Sequence, residues 1–516
     1  MSRSQRRPEW IRLGNGQVIP FDADLISRGL FAAGKRLGNP DSFTARELTE
    51  SVLHFLSEAS ESVLSVEQVD DVVVKVVREL GYPELAWTYA SFYRLGCQAR
   101  VADTTLPADV PLPRIESAAH SDFSLREVFS PDLVALHQEG LLRLGGLDAP
   151  FHLAGVVVSP AQDFFQSIVN CRRFADKFVV LDSPEFWLAD DACTSVEPFI
   201  KDLHCAVQAT GLQVIVNLNI RESPAWASDL VSGPLFASAF DQEARRTEIA
   251  LRLFRHLPKI VTIRTSWHLQ VESFQPQNKW VLDAILEGHI QGKRVVFSFD
   301  RPKQPVSLSR TLDRRRTALL LCVSLDLARF ARRRGMREPE RFLEKLGTLA
   351  RLAVSAGAQK REFLRRRQND WPAFLLDRAH LVVRPLHLDR AVHHLSGKEL
   401  CGDEEALEFA EQIVRRLRDV LAAEAASRHI GVRLDGVSPH DDRPAMLQQL
   451  RAVAYLHRSG PTGTATICYP SSNPPDRASL FDVLALAQAD TTIESIEFLG
   501  IGSAEEPTSK SSETDT

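Results

Sequence analysis

The sequence predicts an α/β protein in two parts: a small, mainly helical unit carrying a β-hairpin, then a ten-stranded α/β barrel-like domain. Three observations lead there. Beyond residue 122, about ten short apolar runs alternate with amphipathic helical segments, the pattern of strands and helices in an α/β sheet. The first hundred residues instead hold one Asn-Gly turn and then helical periodicity. Between them lies "VADTTLPADVPLPRIESAAHS", whose prolines favour an extended connector. The expected boundaries are 9–100, a linker at 101–121, the large domain at 122–502 and a polar, acidic, disordered tail at 503–516.

In the small unit, "WIRLGNGQVIPF" places Asn15-Gly16 between two short apolar stretches, a strong hairpin signal. Asp22 stands where a helix N-cap belongs, and Leu25, Ile26, Leu30 and Ala33 mark the helix's apolar face. A second helix covers "TARELTESVLHFLSEA". A third, "SVEQVDDVVVKVVREL", has Ser65 as cap and Gly81 as stop, and a fourth is "PELAWTYASFYRLGCQAR". In the large domain the expected strands are "HLAGVVV", "KFVVLD", "LQVIVNLN", "KIVTIRT", "KRVVFSFD", "LLLCVSLD", "HLVVRPL", "HIGVRLDG", "TATICYP" and "IESIEFLG". Segments such as "DEEALEFAEQIVRRLRDVLAAEAA" supply the helices.

A net charge of -5 on 516 residues excludes a global attraction to nucleic acid or membrane. The charge is uneven, however: Lys293 to Arg367 holds 21 Lys/Arg against 7 Asp/Glu. That segment reads as solvated helix faces or as a surface for a polyanion. The 7 cysteines form no CxxC pair, which argues against a disulfide framework and a zinc ribbon. "MSRSQRRPEW" is not a secretory signal, and no apolar run is long enough to span a membrane, so a cytoplasmic protein without membrane association is expected. Dinucleotide, Walker A and nucleophile-elbow patterns do not occur. His440 to Asp442 and His387 to Arg390 read as loop or surface clusters. Asn217 and Asn219 read either as buried, bonded amides or as groups at a barrel mouth.

The first unit resembles the ATP-cone, the regulatory domain of ribonucleotide reductases and of the repressor of their genes. The resemblance rests on "GNGQVIPFDADLISRGL", "SVEQVDDVVVKVVREL" and "AWTYASFYR". It implies ATP or dATP as effector, with the hairpin over the base and basic side chains aimed at phosphate. Leu13, Gly14, Ile19 and Leu25 stand where the family carries charged residues, while Asn15, Gly16, Phe21 and Asp22 are kept. The candidate nucleotide contacts are therefore Arg12, Asn15, Gly16, Phe21, Arg28, Lys35, Arg36 and Arg94. The other reading makes the basic residues surface charges on a cone kept for packing or for contacts with a second copy or a protein partner.

The large domain resembles the catalytic barrel of anaerobic (class III) ribonucleotide reductase, a glycyl-radical enzyme. "FSPDLVALHQEG", "GLD" at Gly146 to Asp148, "CVSLDLARFA" and "LDRAVHHLSGKELCGDEEALEFAEQIVRRL" carry the likeness. It implies a radical glycine in an Arg-Val-Cys-Gly-Tyr context, a relay cysteine and a four-cysteine zinc site. This sequence departs from all three. Gly500 and Gly502 lie in no such context, "KRVVFSFDRPKQPVSLSRTLDRRR" contains no cysteine, and zinc-ligand spacing is absent. Asp326 and Ala328 replace the family's Asn and Pro, Arg329 is kept, and Cys322 reads as a core thiol. The expectation is a non-catalytic relative that senses nucleotide or regulates a partner, with no metal or radical cofactor. The alternatives are an enzyme using the barrel for non-radical nucleotide chemistry and a scaffold binding polyanions, nucleic acid included, through its arginine-rich segment.

Overall fold

A computed structural model describes residues 10–12, 17–58, 63–92, 120–121, 123–158, 164–189, 196–219, 243–258, 262–301, 307–309, 312–313, 316–366, 373–437, 444–458, 460 and 463–501. In the N-terminal unit β1 (Trp10–Arg12) pairs antiparallel with β2 (Val18–Pro20) and parallel with β3 (Val63–Ser65). The hairpin is thus where the Asn-Gly turn predicts it, and the tip itself lies outside the described residues. Four helices follow from the same local signals: α1 (Asp24–Arg36), α2 (Ser42–Glu58), α3 (Val66–Glu79) and α4 (Pro83–Phe92). Asp22 Oδ1 accepts the Asp24 N–H at 3.0 Å, satisfying a free donor of the first turn. Ser65 and Gln68 form a reciprocal capping box on α3. Ile11, Ile26, Leu30, Val52, Val69, Val73 and Tyr89 close one apolar core between hairpin and helices.

After β4 (Leu142–Leu144), five strands run parallel in spatial order: β5 (Leu153–Val158), β6 (Ala175–Asp182), β7 (Gln213–Asn219), β8 (Ile263–Leu269) and β9 (Val295–Phe299). A short hairpin of β10 (Ser307–Ser309) and β11 (Leu312–Asp313) precedes a second parallel set, β12 (Ala318–Asp326), β13 (Ala379–Leu386) and β14 (Gly431–Leu434). The last strands, β15 (Thr464–Pro470) and β16 (Ser495–Ile501), are also parallel to each other. The two halves meet antiparallel, β12 against β5 and β16 against β9. At the free ends of the sheet, Asp435, just after β14, accepts the N–H of Thr464 at the start of β15 (3.1 Å).

All ten expected strands are present. The one misplaced by more than a residue or two is "KIVTIRT", where the strand runs over Ile263–Leu269, later than expected. The inward residues of β8, Arg264, Ser266 and His268, are polar, so the apolar run that signals a strand lies upstream of the paired segment.

Strand alternation sorts the side chains. Val179 and Leu181 of β6 join the core beneath the helices, whereas Phe178 and Val180 face inward with Ile215, Leu319 and Val382. Leu308 and Leu312 of the β10–β11 hairpin complete this inner cluster, so the hairpin plugs the barrel. Cys322 packs against the same cluster and is half-buried, more exposed than a core thiol. Two distant motifs also meet. Arg329 donates to the Glu139 carbonyl at 2.7 Å and lies over Gly140, whose φ of +70° and lack of Cβ make room for the guanidinium.

Candidate functional site

The first turn of α1 carries the most concentrated chemistry of the N-terminal unit. Arg28 lies one turn beyond Asp24 on the same face, and its Nε is buried without a hydrogen-bond partner. Asp22 lies within electrostatic reach of Arg28 and also of Arg428, a residue of the large domain. The Nε atoms of Arg46, Arg264, Arg301 and Arg418 are likewise buried without a hydrogen bond, but Arg28 is the one on the first helix after the hairpin.

Asp24 itself is spoken for. Its carboxylate is bonded to Arg46 of α2, to Arg428 at 3.1 and 3.3 Å, and to the Ser355 hydroxyl at 2.5 Å. Burial pushes this carboxyl up, but Arg46, Arg428 and Ser355 outweigh burial and hold it well below the usual carboxylate range. Ser355 sits in the long helix Pro339–Arg365, and Arg428 caps the helix Glu404–Ser427, where it also reaches Glu424 at 2.8 Å. Around this centre α2 and the residue before it meet the helix Pro339–Arg365 and the turn that precedes it. Asp41 pairs with Arg333 at 3.0 Å, Glu47 with Lys345, and Glu50 with Arg351 at 3.9 Å. Ser27 donates to Asp132 at 3.2 Å. Part of the arginine-rich segment thus faces the N-terminal unit, while Arg332, Arg334, Arg337 and Arg341 remain exposed.

A second constellation lies inside the barrel, at the carboxyl ends of β6 to β9, where open α/β sheets place their ligands. His268 bonds Asp300 through Nδ1 and Asn217 through Nε2, both at 2.8 Å, and Asn217 donates to Asp182 at 3.2 Å. Ser183, with φ of 57°, is held in the left-handed region by a 3.0 Å bond from its N–H to the Asn217 carbonyl and by its hydroxyl's bond to Asp182. Glu185 Oε1 accepts from the Asn219 N–H at 3.0 Å, while Oε2 is buried and unbonded. Burial pushes the Glu185 carboxyl up to about 8, so near neutrality it is a proton donor. Asn217 and Asn219 are therefore both buried, bonded amides and members of a polar cluster at the barrel mouth.

A cavity of about 460 Å³ lies at the end of β15, between the first turns of the helices Met446–His457 and Arg477–Asp490. Tyr469, Pro470, Pro474 and Pro475 line it with Asn473 and Asp476. Among the described residues, no group of three or more His, Cys, Asp or Glu side chains is arranged to hold a metal ion, and no helix is long and apolar enough to cross a membrane.

Of the candidate nucleotide contacts, Arg28 and Phe21 lie at or near the start of α1, Arg12 is exposed on β1, and Lys35 and Arg36 are exposed in the last turn. Lys35 is two turns beyond Arg28, roughly 10 Å along the axis. Asn15, Gly16 and Arg94 lie outside the described residues, as do His440 to Asp442. His387, the other lone histidine cluster, bonds Asp326 at 3.2 Å. Sequence reasoning missed Ser355 and Arg428 at α1, and His268, Asp300 and Glu185 in the barrel. Each is an isolated polar residue within an apolar or helical run, and only the tertiary fold gathers them.

Residues 11–95 match the ATP cone domain family. No curated protein matches the chain by sequence. Solved structures of anaerobic ribonucleotide reductase share its fold over most of its length. The Thermotoga maritima enzyme with citrate in the active site aligns at a TM-score of 0.56 and 10% identity, covering 92% of this chain and 97% of that one. The same enzyme with dATP bound in its specificity site aligns at 0.54 and 11%, covering 92% and 90%. A further anaerobic ribonucleotide reductase aligns at 0.55 and 12%, covering 94% and 90%. The chain is thus an ATP cone joined to a barrel of the anaerobic ribonucleotide reductase fold.

Proposed function

We propose that the protein is a nucleotide-responsive relative of anaerobic ribonucleotide reductase that has given up radical catalysis. Its cone takes ATP or dATP as effector, and its barrel passes the response to a partner or to a second copy. The observation that carries the effector reading is Arg28: a buried guanidinium nitrogen without a partner, on the first helix after the cone hairpin. A phosphate oxygen is the acceptor that would satisfy it. The loss of radical chemistry is supported by the barrel plug, where Leu308 and Leu312 of the hairpin join the inner apolar cluster, and by the lack of a cysteine in the segment from Lys293 to Arg316. Titration calorimetry of the full chain with ATP and dATP tests the proposal. Saturable binding is expected, and absence of heat and of thermal stabilisation at millimolar nucleotide overturns it.

A second reading, non-radical chemistry on a nucleotide, is favoured by the His268–Asp300 pair, linked through Asn217, Asp182, Ser183 and Asn219 to the protonated Glu185. Product analysis after incubation with nucleoside triphosphates, with Glu185→Gln as control, decides it. An unchanged nucleotide pool removes this reading.

A further inference from the structure

The cone lacks charge at Leu13 and Leu25, and the start of its first helix carries two carboxylates, Asp22, exposed just before α1, and Asp24, buried in its first turn. Two carboxylates beside a polyphosphate oppose binding unless cations offset them. The cone supplies Arg46, on α2. The second cation, Arg428, comes from the barrel. It makes a two-pronged contact with Asp24 and lies within electrostatic reach of Asp22.

We propose that the barrel sets the effector affinity of the cone through Arg428, a positioning residue that neutralises the first turn of α1, so that the cone binds nucleotide at full strength only while clasped to the two long barrel helices. This rests on the effector reading above and adds its regulation.

The geometry makes the clasp a closed circuit. Ser355, on the helix Pro339–Arg365, bonds Asp24 directly, and Arg361 of the same helix donates to the carbonyls of Arg428 and His429 at 2.8 and 2.6 Å. Arg428 then returns to Asp24, while Glu424 one turn earlier holds its Nε. The start of α1 therefore cannot shift relative to either helix without breaking charge-assisted bonds. By linkage, whatever loosens the clasp weakens the nucleotide, and the nucleotide in turn tightens the clasp. A change in the barrel, such as binding of a partner to these helices, then reads out as altered effector affinity.

The test uses the full chain as wild type, Arg428→Gln, Arg428→Lys and Lys345→Gln, the last loosening the rim of the clasp away from Asp24. Calorimetry with ATP and dATP is paired with hydrogen exchange of residues 24–58. Arg428→Gln is expected to weaken nucleotide roughly five- to tenfold, and Arg428→Lys to restore most of that loss. Nucleotide is expected to slow exchange in wild type and to do so less in Arg428→Gln. Faster exchange in Arg428→Gln or Lys345→Gln with unchanged affinity would leave a merely structural contact and overturn the proposal. Failure of wild type to bind overturns the effector reading and the proposal with it. In that case exchange without nucleotide still judges the clasp, and equal rates in all four proteins remove it.

Discussion

Ser355 and Asp24 are 331 residues apart in the chain and share a hydrogen bond of 2.5 Å. A buried carboxylate with two guanidinium partners and a hydroxyl is stable as a set and fragile to partial removal. Asp24→Ala leaves the buried Arg46 with Glu50 alone, at 3.6 Å, and is expected to lower stability by about 3 kcal/mol. Ser355→Ala removes one neutral donor to that carboxylate and should cost about 1.5–2 kcal/mol. Urea unfolding of both variants checks the ratio, and equal losses would mean that charge is not what holds this contact together.

Nucleotide affinity should depend on Arg28 more than on Lys35. Arg28 stands at the start of α1 with a free buried nitrogen, and Lys35 two turns away in solvent. Arg28→Gln is expected to weaken ATP about tenfold, the loss of one charge-assisted contact. Lys35→Gln is expected to have a smaller effect, and calorimetry would show the reverse order if phosphate sits at the far end of the helix.

Glu185 gives the barrel a pH signature. Its carboxyl is raised by burial from 4.5 to about 8, so the folded state binds more protons than the unfolded state between these values. Its stabilising contribution is therefore complete below about pH 4.5 and is lost as the pH rises through 8. Glu185→Gln cannot ionise. Its Tm relative to wild type should rise steadily from pH 5 to pH 8 and level off above that, whereas a constant offset would show that Glu185 is charged throughout.

Phe178 of the neighbouring strand β6 leaves no room beside Gly155. A Cβ there would lie 2.3 Å from Cζ of Phe178, inside the inner apolar cluster. Gly155→Ala is expected to destabilise by about 1–3 kcal/mol through overpacking. An unchanged denaturation midpoint would mean that the ring and the hairpin behind it can give way.

Much of this fold is legible in the sequence because its signals are local. The Asn15-Gly16 turn, Asp22 before α1 and Ser65 before α3 name their elements, and apolar runs mark the ten strands. β8 is displaced for a physical reason: the barrel interior there is polar, so strand pairing and apolarity part company at Arg264, Ser266 and His268. The clasp is less legible still. Nothing near Arg428 or Ser355 distinguishes them from other polar residues on long helices, and the acidic spacing of Asp41, Glu47 and Glu50 gains meaning only beside Arg333, Lys345 and Arg351. Asn217 and Asn219 stood open between two readings because burial and site membership are compatible, and here both hold.

Phe43, at the start of α2, packs its ring 5.7 Å from Phe330 and belongs to the barrel's apolar core, not to the cone's own. The border between the two hydrophobic cores therefore does not follow the chain's division into units. Severing the chain after the cone would strip a phenylalanine from the larger core and leave Phe330 open to water. Heating the intact protein should accordingly give one calorimetric transition in place of two, with cone and barrel melting as a single cooperative body.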